Sequence, residues 1–322
     1  MNKSGIKQFL RAVSFLCVLV LLTAAASYML APKDNTPEGG IINPNANGFF
    51  SEPENSIEIA VLGNSDAYSG FSPMELWNMY GYTSYVSAEG HQSVAQSYSQ
   101  LKKIMSCHDP KLVIFETDGL FTKSKLAETA AKIINASAGS AFSVFQYHDR
   151  WKTTGLRELF KKPCYTAHCA TKGQWLSNDV KGYVGGEYMI KTDKKASIPL
   201  SAKAPLNMLV KTCRENGIEL LFLELPSQSS WSYEKHNAVK AYADKNGIPF
   251  LDLNIDRDRF GFDWSTDTRD RGNHLNSRGA RKATLFIGEY LIKNYSLTDR
   301  RRDADYKQWH KDYEEYAEQV KI

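Results

Sequence analysis

The sequence carries almost no surplus of either charge. Lys and Arg exceed Asp and Glu by only four over 322 residues. The basic residues are scattered rather than gathered, which argues against nucleic-acid binding. Cysteine is scarce as well, with Cys17 inside an apolar run and Cys107, Cys164, Cys169 and Cys213 beyond it. Four cysteines allow three pairings, and Cys164 and Cys169 are near enough in sequence to close a small local loop. His168 beside Cys169 raises a zinc site as the sharper alternative, yet no second closely spaced Cys or His pair completes a tetrahedral set. A disulfide or free thiols are expected, and no metal or cofactor is called for. The Gly-x-Ser-x-Gly elbow of the α/β-hydrolases is also missing.

Only one long apolar run exists. Lys3, Lys7 and Arg11, with no acid among them, precede an uncharged stretch over 12–31. A bilayer core needs roughly 20 such residues. The basic flank stays cytoplasmic, so the chain reads as a single-pass cell-membrane protein with everything after the anchor on the extracellular side. The alternative is a cleaved signal peptide, since Thr23-Ala24-Ala25-Ala26 offers small residues to a peptidase, although the run continues through Tyr28-Met29-Leu30. Residues 1–31 are therefore assigned to a basic tip and anchor. Residues 32–55, rich in Pro, Gly, Asn and acid, read as a linker needing no fold of its own. About 270 residues remain, enough for one large domain with a full core.

That domain, 56–296, is organised around Ile57-Glu58-Ile59-Ala60-Val61-Leu62-Gly63-Asn64-Ser65-Asp66. The apolar run predicts a buried strand, and Gly63 breaks it at a tight turn that presents Ser65. A helix follows, with Ser72 as N-cap, Pro73 at its first position, Glu75 completing a capping box and Gly81 ending it. Further strands are predicted over 82–86, 111–116, 218–225 and 248–253, and helices over 92–106, 123–135, 205–216, 233–246 and 280–295. Strands alternating with helices imply a mainly parallel sheet covered on both faces. The pattern dissolves over about 136–200, which reads either as a lid or substrate-binding insertion or as an ordinary irregular subdomain. In the final piece, 297–322, Tyr306, Trp309, Tyr313, Tyr316 and Val320 recur at three and four residues, giving an amphipathic helix. Its stripe either packs on the domain or offers a surface to sugars or a membrane.

A serine at the carboxyl end of a first strand is where an open α/β sheet places nucleophiles, but its hydroxyl needs a base. The candidate is His274, in Asp270-Arg271-Gly272-Asn273-His274-Leu275-Asn276. Gly63-Asn64-Ser65 near the start of the domain and His274-Leu275-Asn276 near its end together resemble the SGNH/GDSL hydrolase superfamily. Asp263-Trp264-Ser265-Thr266-Asp267-Thr268-Arg269-Asp270 is similar to its membrane-anchored bacterial envelope branch, which includes the D-alanyl-transfer proteins of teichoic acid modification. The resemblance spans roughly 57–295 and implies a three-layer, flavodoxin-like α/β fold.

It also implies roles. Ser65 is the expected nucleophile, His274 the general base, and a carboxylate orients the imidazole. The family's acid lies three residues before the histidine, where this chain has Arg271, so Asp270 is favoured on a turn one residue longer, with Asp267 and Asp263 as alternatives. The Ser65 backbone N–H and Gly90 are the expected oxyanion donors. The family's Gly-x-Asn-Asp block is replaced by Glu116-Thr117-Asp118-Gly119, leaving the third donor unassigned. Two classes of function follow. One is an envelope-tethered serine esterase or O-acyltransferase acting on cell-envelope polysaccharide or another acylated glycopolymer. The other is a non-catalytic carbohydrate-binding or assembly scaffold on the same fold.

Overall fold

Strands that read as unbroken apolar runs belong in a parallel sheet buried on both faces, and the computed structural model, which describes residues 3–122 and 124–320, has that sheet. In chain order its elements begin with α1 (Lys3–Leu30), β1 (Ile59–Gly63), α2 (Ser65–Gly70), α3 (Pro73–Tyr80), β2 (Ser84–Ala88), α4 (Val94–Ile104) and β3 (Leu112–Glu116). There follow α5 (Leu126–Ala141), α6 (Val144–Tyr147), α7 (Leu156–Leu159), α8 (Leu200–Glu215), β4 (Glu219–Glu224), α9 (Tyr233–Asn246), β5 (Phe250–Asp252), α10 (Ser277–Asn294) and α11 (Lys307–Val320). The strand order is β2-β1-β3-β4-β5, all pairs parallel, with Val61 opposite Val86 on one side and Ile114 on the other. This is the flavodoxin-like doubly wound order. Met1, Asn2, Lys123, Lys321 and Ile322 lie outside the described residues; Lys123 is where the sequence reading starts the helix after the third strand.

The two faces follow from the period of two along each strand. Ala60, Leu62, Val113, Phe115, Leu220 and Phe222 face α4, α8 and α9. Ile59, Val61, Ile114, Leu221 and Leu223 face α2, α3 and α10. Ser72 Oγ accepts from the Glu75 N–H, Pro73 opens α3, and Gly81 ends it at φ 73°. The expected capping box is not completed, because the Ser72 N–H donates to Thr284 Oγ1 and the Glu75 carboxylate accepts from Tyr316 Oη. α11 packs on α3 through Trp309 and Tyr316, both buried against Met74 and Trp77. The Trp77 and Trp309 rings lie 5.3 Å apart. Losing a buried Trp costs about 3–5 kcal/mol against a total stability of roughly 5–15 kcal/mol, so α11 is part of the domain.

Three expectations are resolved, the first and third as corrections and the second by deciding between disulfide and free thiols. The segment 32–55 is not a free tether. Phe49 is fully buried in the main core, Tyr85 Oη and Ser87 Oγ donate to the carbonyls of Asn45 and Ala46 at 2.7 Å each, and Asn35 exchanges two 2.9 Å hydrogen bonds with Ala167. Its Pro, Gly and Asn composition hides this because much of the attachment is made through backbone carbonyls. Second, all five cysteines are free thiols; Cys164 is pinned to the Lys33 carbonyl at 2.8 Å, while Cys169 Sγ accepts from the Gly173 N–H, so the local loop is not closed. Third, α8 begins five residues before Pro205, which it contains.

The insertion contains α5's last turns, α6 and α7, and then runs from 160 to 199 without a regular helix or strand. It is tied down by backbone: the Val86 N–H donates to Lys172 O, Trp175 to Tyr68 O, Lys181 to Thr268 O and Tyr183 to Trp264 O, at 2.8–2.9 Å. Gly173, at φ 88°, lies so near β2 that a Cβ there would meet the Val86 carbonyl at 2.0 Å. Beneath it Lys172 is fully buried, its ammonium 2.7 Å from Glu52 and 2.5 Å from Asp312. His168 reaches the same Asp312 at 2.7 Å. Linker, insertion and final helix thus share one buried set of charges.

Candidate active site

Gly63 closes β1 where only hydrogen fits, since a Cβ would meet the Glu116 side chain at 2.7 Å. Ser65 is not on a loop turn, as the sequence suggests, but is the first residue of α2, with Asn64 as N-cap accepting from the Asp66 N–H at 2.8 Å. Glu116, at the end of β3, braces this corner: one oxygen accepts from the Asn64 N–H at 3.1 Å and the other from the Asp118 N–H at 2.6 Å. Asn64 Nδ2 donates to Asp118 at 3.0 Å, and Lys235, on the first turn of α9, reaches Asp118 at 3.1 Å. The segment that replaces the family's third block therefore contributes carboxylates that hold the serine corner.

His274 sits on a hairpin-like turn closed by the antiparallel bridge between Thr268 and Leu275. Arg271 and Gly272 are both left-handed, at φ 67° and 89°, and this is the extra residue that lets an acid four positions back curl onto the ring. Asp270 accepts from the His274 N–H at 2.7 Å and from Nδ1 at 2.5 Å. Burial raises the Asp270 pKa, but the hydrogen bonds from His274 outweigh it and hold the carboxyl below its ordinary range. Asn273 Nδ2 also lies 2.9 Å from Nδ1; in the tautomer that donates Nδ1–H to Asp270, Nε2 carries the lone pair. Asp267 is fully buried and engaged by Lys282 at 2.6 Å, and Asp263 caps the Ser265 N–H at 2.9 Å. Of the three acids, Asp270 is the one on the imidazole.

Nε2 faces the start of α2, 3.9 Å from Asp66 Oδ1. Ser65 and His274 are both half-buried, and among the described residues no hydrogen bond joins them. Gly90 lies two residues beyond β2, whose Ala88 pairs with Gly63, and its Cβ position is 3.9 Å from Tyr68 Oη. Among the described residues, neither the Ser65 nor the Gly90 N–H donates to a protein acceptor. On the same rim stands Trp175, 57% exposed, its ring 6.2 Å from that of Tyr68. Asp66, Asn64, Lys235 and Trp175 are the residues sequence reasoning missed. Asn64 and Asp66, which flank the serine, had a positional signal; Lys235 and Trp175 had none.

Behind the serine lies a buried acidic cluster. Burial, then the charges of Glu116, Asp118 and Asp270, push Asp66 well above its ordinary range. Burial and Asp118 push Glu116 up to about 8, and burial and Glu116 raise Glu224 well above normal. These acids bind protons in the folded chain that the unfolded chain, with carboxyl pKa values near about 4, has released. Stability is therefore expected to fall as pH rises from about 4 through about 8. Glu224→Gln, which cannot ionise, should raise Tm at pH 8 by about 2–4 °C per kcal/mol relieved and have little effect at pH 4. An equal shift at both pH values in thermal unfolding would contradict this.

No family model and no curated protein matches the chain. Among solved structures, the chain is similar to a lipase/acylhydrolase from Enterococcus faecalis, at 10% identity and TM-score 0.39 over 75% of this chain and 99% of that one. It is also similar to a GDSL-like lipase from Bacteroides thetaiotaomicron, at 12% identity and TM-score 0.36 over 73% of this chain and 87% of that one. A structure titled as a G-D-S-L family lipolytic protein from Desulfitobacterium hafniense gives 12% identity and TM-score 0.37, over 72% and 98%. The site is accordingly read from its own geometry.

Proposed function

We propose that the protein is a membrane-anchored SGNH-type serine esterase or O-acyltransferase, its domain on the extracellular side, acting on ester-linked acyl groups of a cell-surface glycopolymer. The observation that carries this reading is the Asp270–His274 pair, whose 2.5 Å contact at Nδ1 supports the tautomer with Nε2 as acceptor, with Nε2 aimed at the helix that begins with Ser65. Ser65 Oγ attacks the ester carbonyl while its proton passes to His274 Nε2. The tetrahedral oxyanion takes hydrogen bonds from the Ser65 and Gly90 N–H groups, and its collapse expels the sugar hydroxyl, which receives the proton. Water or an acceptor hydroxyl then releases the acyl group from Ser65 by the reverse route. The basic residues Lys3, Lys7 and Arg11 at the N-terminal end of α1, a helix long and apolar enough to cross a membrane, support the orientation. The exposed Trp175 beside Tyr68 supports a sugar ring as the neighbouring group.

Acetyl or alanyl is the simplest acyl group, the latter in keeping with the teichoic acid branch that the sequence resembles. Full-length protein in mild detergent, incubated with isolated envelope polymers, should release free acid, or add ester from an acyl donor, when the products are followed by mass spectrometry; Ser65→Ala should do neither. The absence of a Ser65–His274 hydrogen bond and the commitment of Asn64 Nδ2 to Asp118 favour a second reading, a glycan-binding scaffold. Glycan binding without turnover on any polymer or model ester would decide for the scaffold.

A further inference from the structure

The membrane helix does not stand clear of the domain at its last turn. Ser143 Oγ donates to Ser27 O at 2.8 Å, and the Val144 N–H donates to Ser27 Oγ at 3.2 Å. The carbonyls at a helix C-terminus lack intrahelical partners and attract cations. Here Arg150 donates to Leu30 O and Ala31 O, and Lys33 Nζ to Tyr28 O at 2.5 Å. A hydrocarbon core is filled by about 20 apolar residues, which 12–31 provide, so this turn lies at headgroup depth. Phe145, Trp151, Leu156 and Phe160, on the insertion that meets it, are all exposed. Aromatic and apolar side chains of this kind suit a membrane–water interface.

At this junction is a cavity of about 330 Å³, lined by Ser27 and Tyr28 of α1, Lys102 and Lys103 of α4, and Ser143 and Tyr147 beside α6. Among the described residues neither lysine has a salt-bridge partner, although most buried ammonium groups are paired. Lys103 makes one long hydrogen bond, 3.5 Å to Asn47 Oδ1, and burial lowers its pKa to about 8 against a weaker opposing effect from Glu89. Two half-buried cations and two hydroxyl groups thus converge on one cavity at the level of lipid phosphates.

We propose that this cavity binds the phosphate of an anionic membrane lipid, held by Lys102 and Lys103 with Ser143 and Tyr147 as further donors, its acyl chains lying along the outward face of α1. The site is independent of Ser65. Full-length protein in mild detergent is to be titrated with dioleoyl phosphatidic acid, dioleoylglycerol and inorganic phosphate, and bound species counted by native mass spectrometry. Phosphatidic acid should bind. The double variant Lys102→Ser, Lys103→Met should weaken binding about tenfold or more, and Lys103→Arg should retain it, which separates charge from folding. Equal affinity for dioleoylglycerol, or unchanged phosphatidic acid binding by the double variant, overturns the proposal. Inorganic phosphate binding as tightly as the lipid would assign the site to a free anion and overturn the lipid assignment.

Discussion

Full-length protein in detergent should be labelled by a serine-directed fluorophosphonate, and Ser65→Ala should abolish the label, a loss of at least a hundredfold in intensity. A fluorophosphonate reacts only where a serine is activated by a base and its oxyanion is stabilised. Both requirements converge on the start of α2, where His274 Nε2 faces the helix carrying Ser65. Ser65 is half-buried and not engaged by another side chain among the described residues, so its removal leaves no buried group unpaired and should not disturb folding. Equal labelling of the variant would move the nucleophile elsewhere. The whole chain should be used, because a cut near Pro53 would remove Phe49 from the core.

Asp270→Asn should lower kcat by about a thousandfold or more with Tm nearly unchanged. The carboxylate fixes the imidazole through two hydrogen bonds, 2.7 Å from the backbone N–H and 2.5 Å from Nδ1. An amide can offer its own N–H to Nδ1 instead, which drives the proton to Nε2 and leaves the ring without an acceptor toward Ser65. Asp267→Asn should do the opposite, sparing kcat but lowering Tm, because a fully buried carboxylate paired with Lys282 at 2.6 Å would be lost. Measured kcat and thermal unfolding for both variants decide the matter, and an inverted pattern would make Asp267 the orienting acid.

The alternation of strand and helix was legible because β1, β3 and β4 are buried on both faces and carry near-continuous apolar runs, and because Ser72, Pro73 and Gly81 bracket α3 with strong end signals. The partnership of Asp270 with His274 across an extra residue was within reach of sequence reasoning; the left-handed Arg271 that permits it was not, since nothing in an Arg announces positive φ. α2 escaped notice because six residues carry too little periodicity to separate a helix from a turn. Lys235, on the first turn of α9, and Trp175, in a segment without regular structure, come to the site only through tertiary contacts. The same holds for 32–55, whose attachments are made largely by backbone atoms that look alike in every sequence.

Those attachments change what the anchor does for the domain. Glu52, seven residues before β1, is clamped to Lys172, which is clamped in turn to Asp312 in the closing helix, and Arg150 grips the last turn of α1 itself. If α1 spans a membrane as proposed, these contacts tie it to the insertion and the sheet, and the rim that carries Ser65 would keep a set height above the lipid instead of sweeping a sphere on a leash. On the proposed esterase reading such a mount would measure distance: ester groups presented at that height would meet the serine repeatedly, while those nearer to or farther from the surface would pass it by, so chain position along a polymer would become a criterion of selection alongside chemical identity.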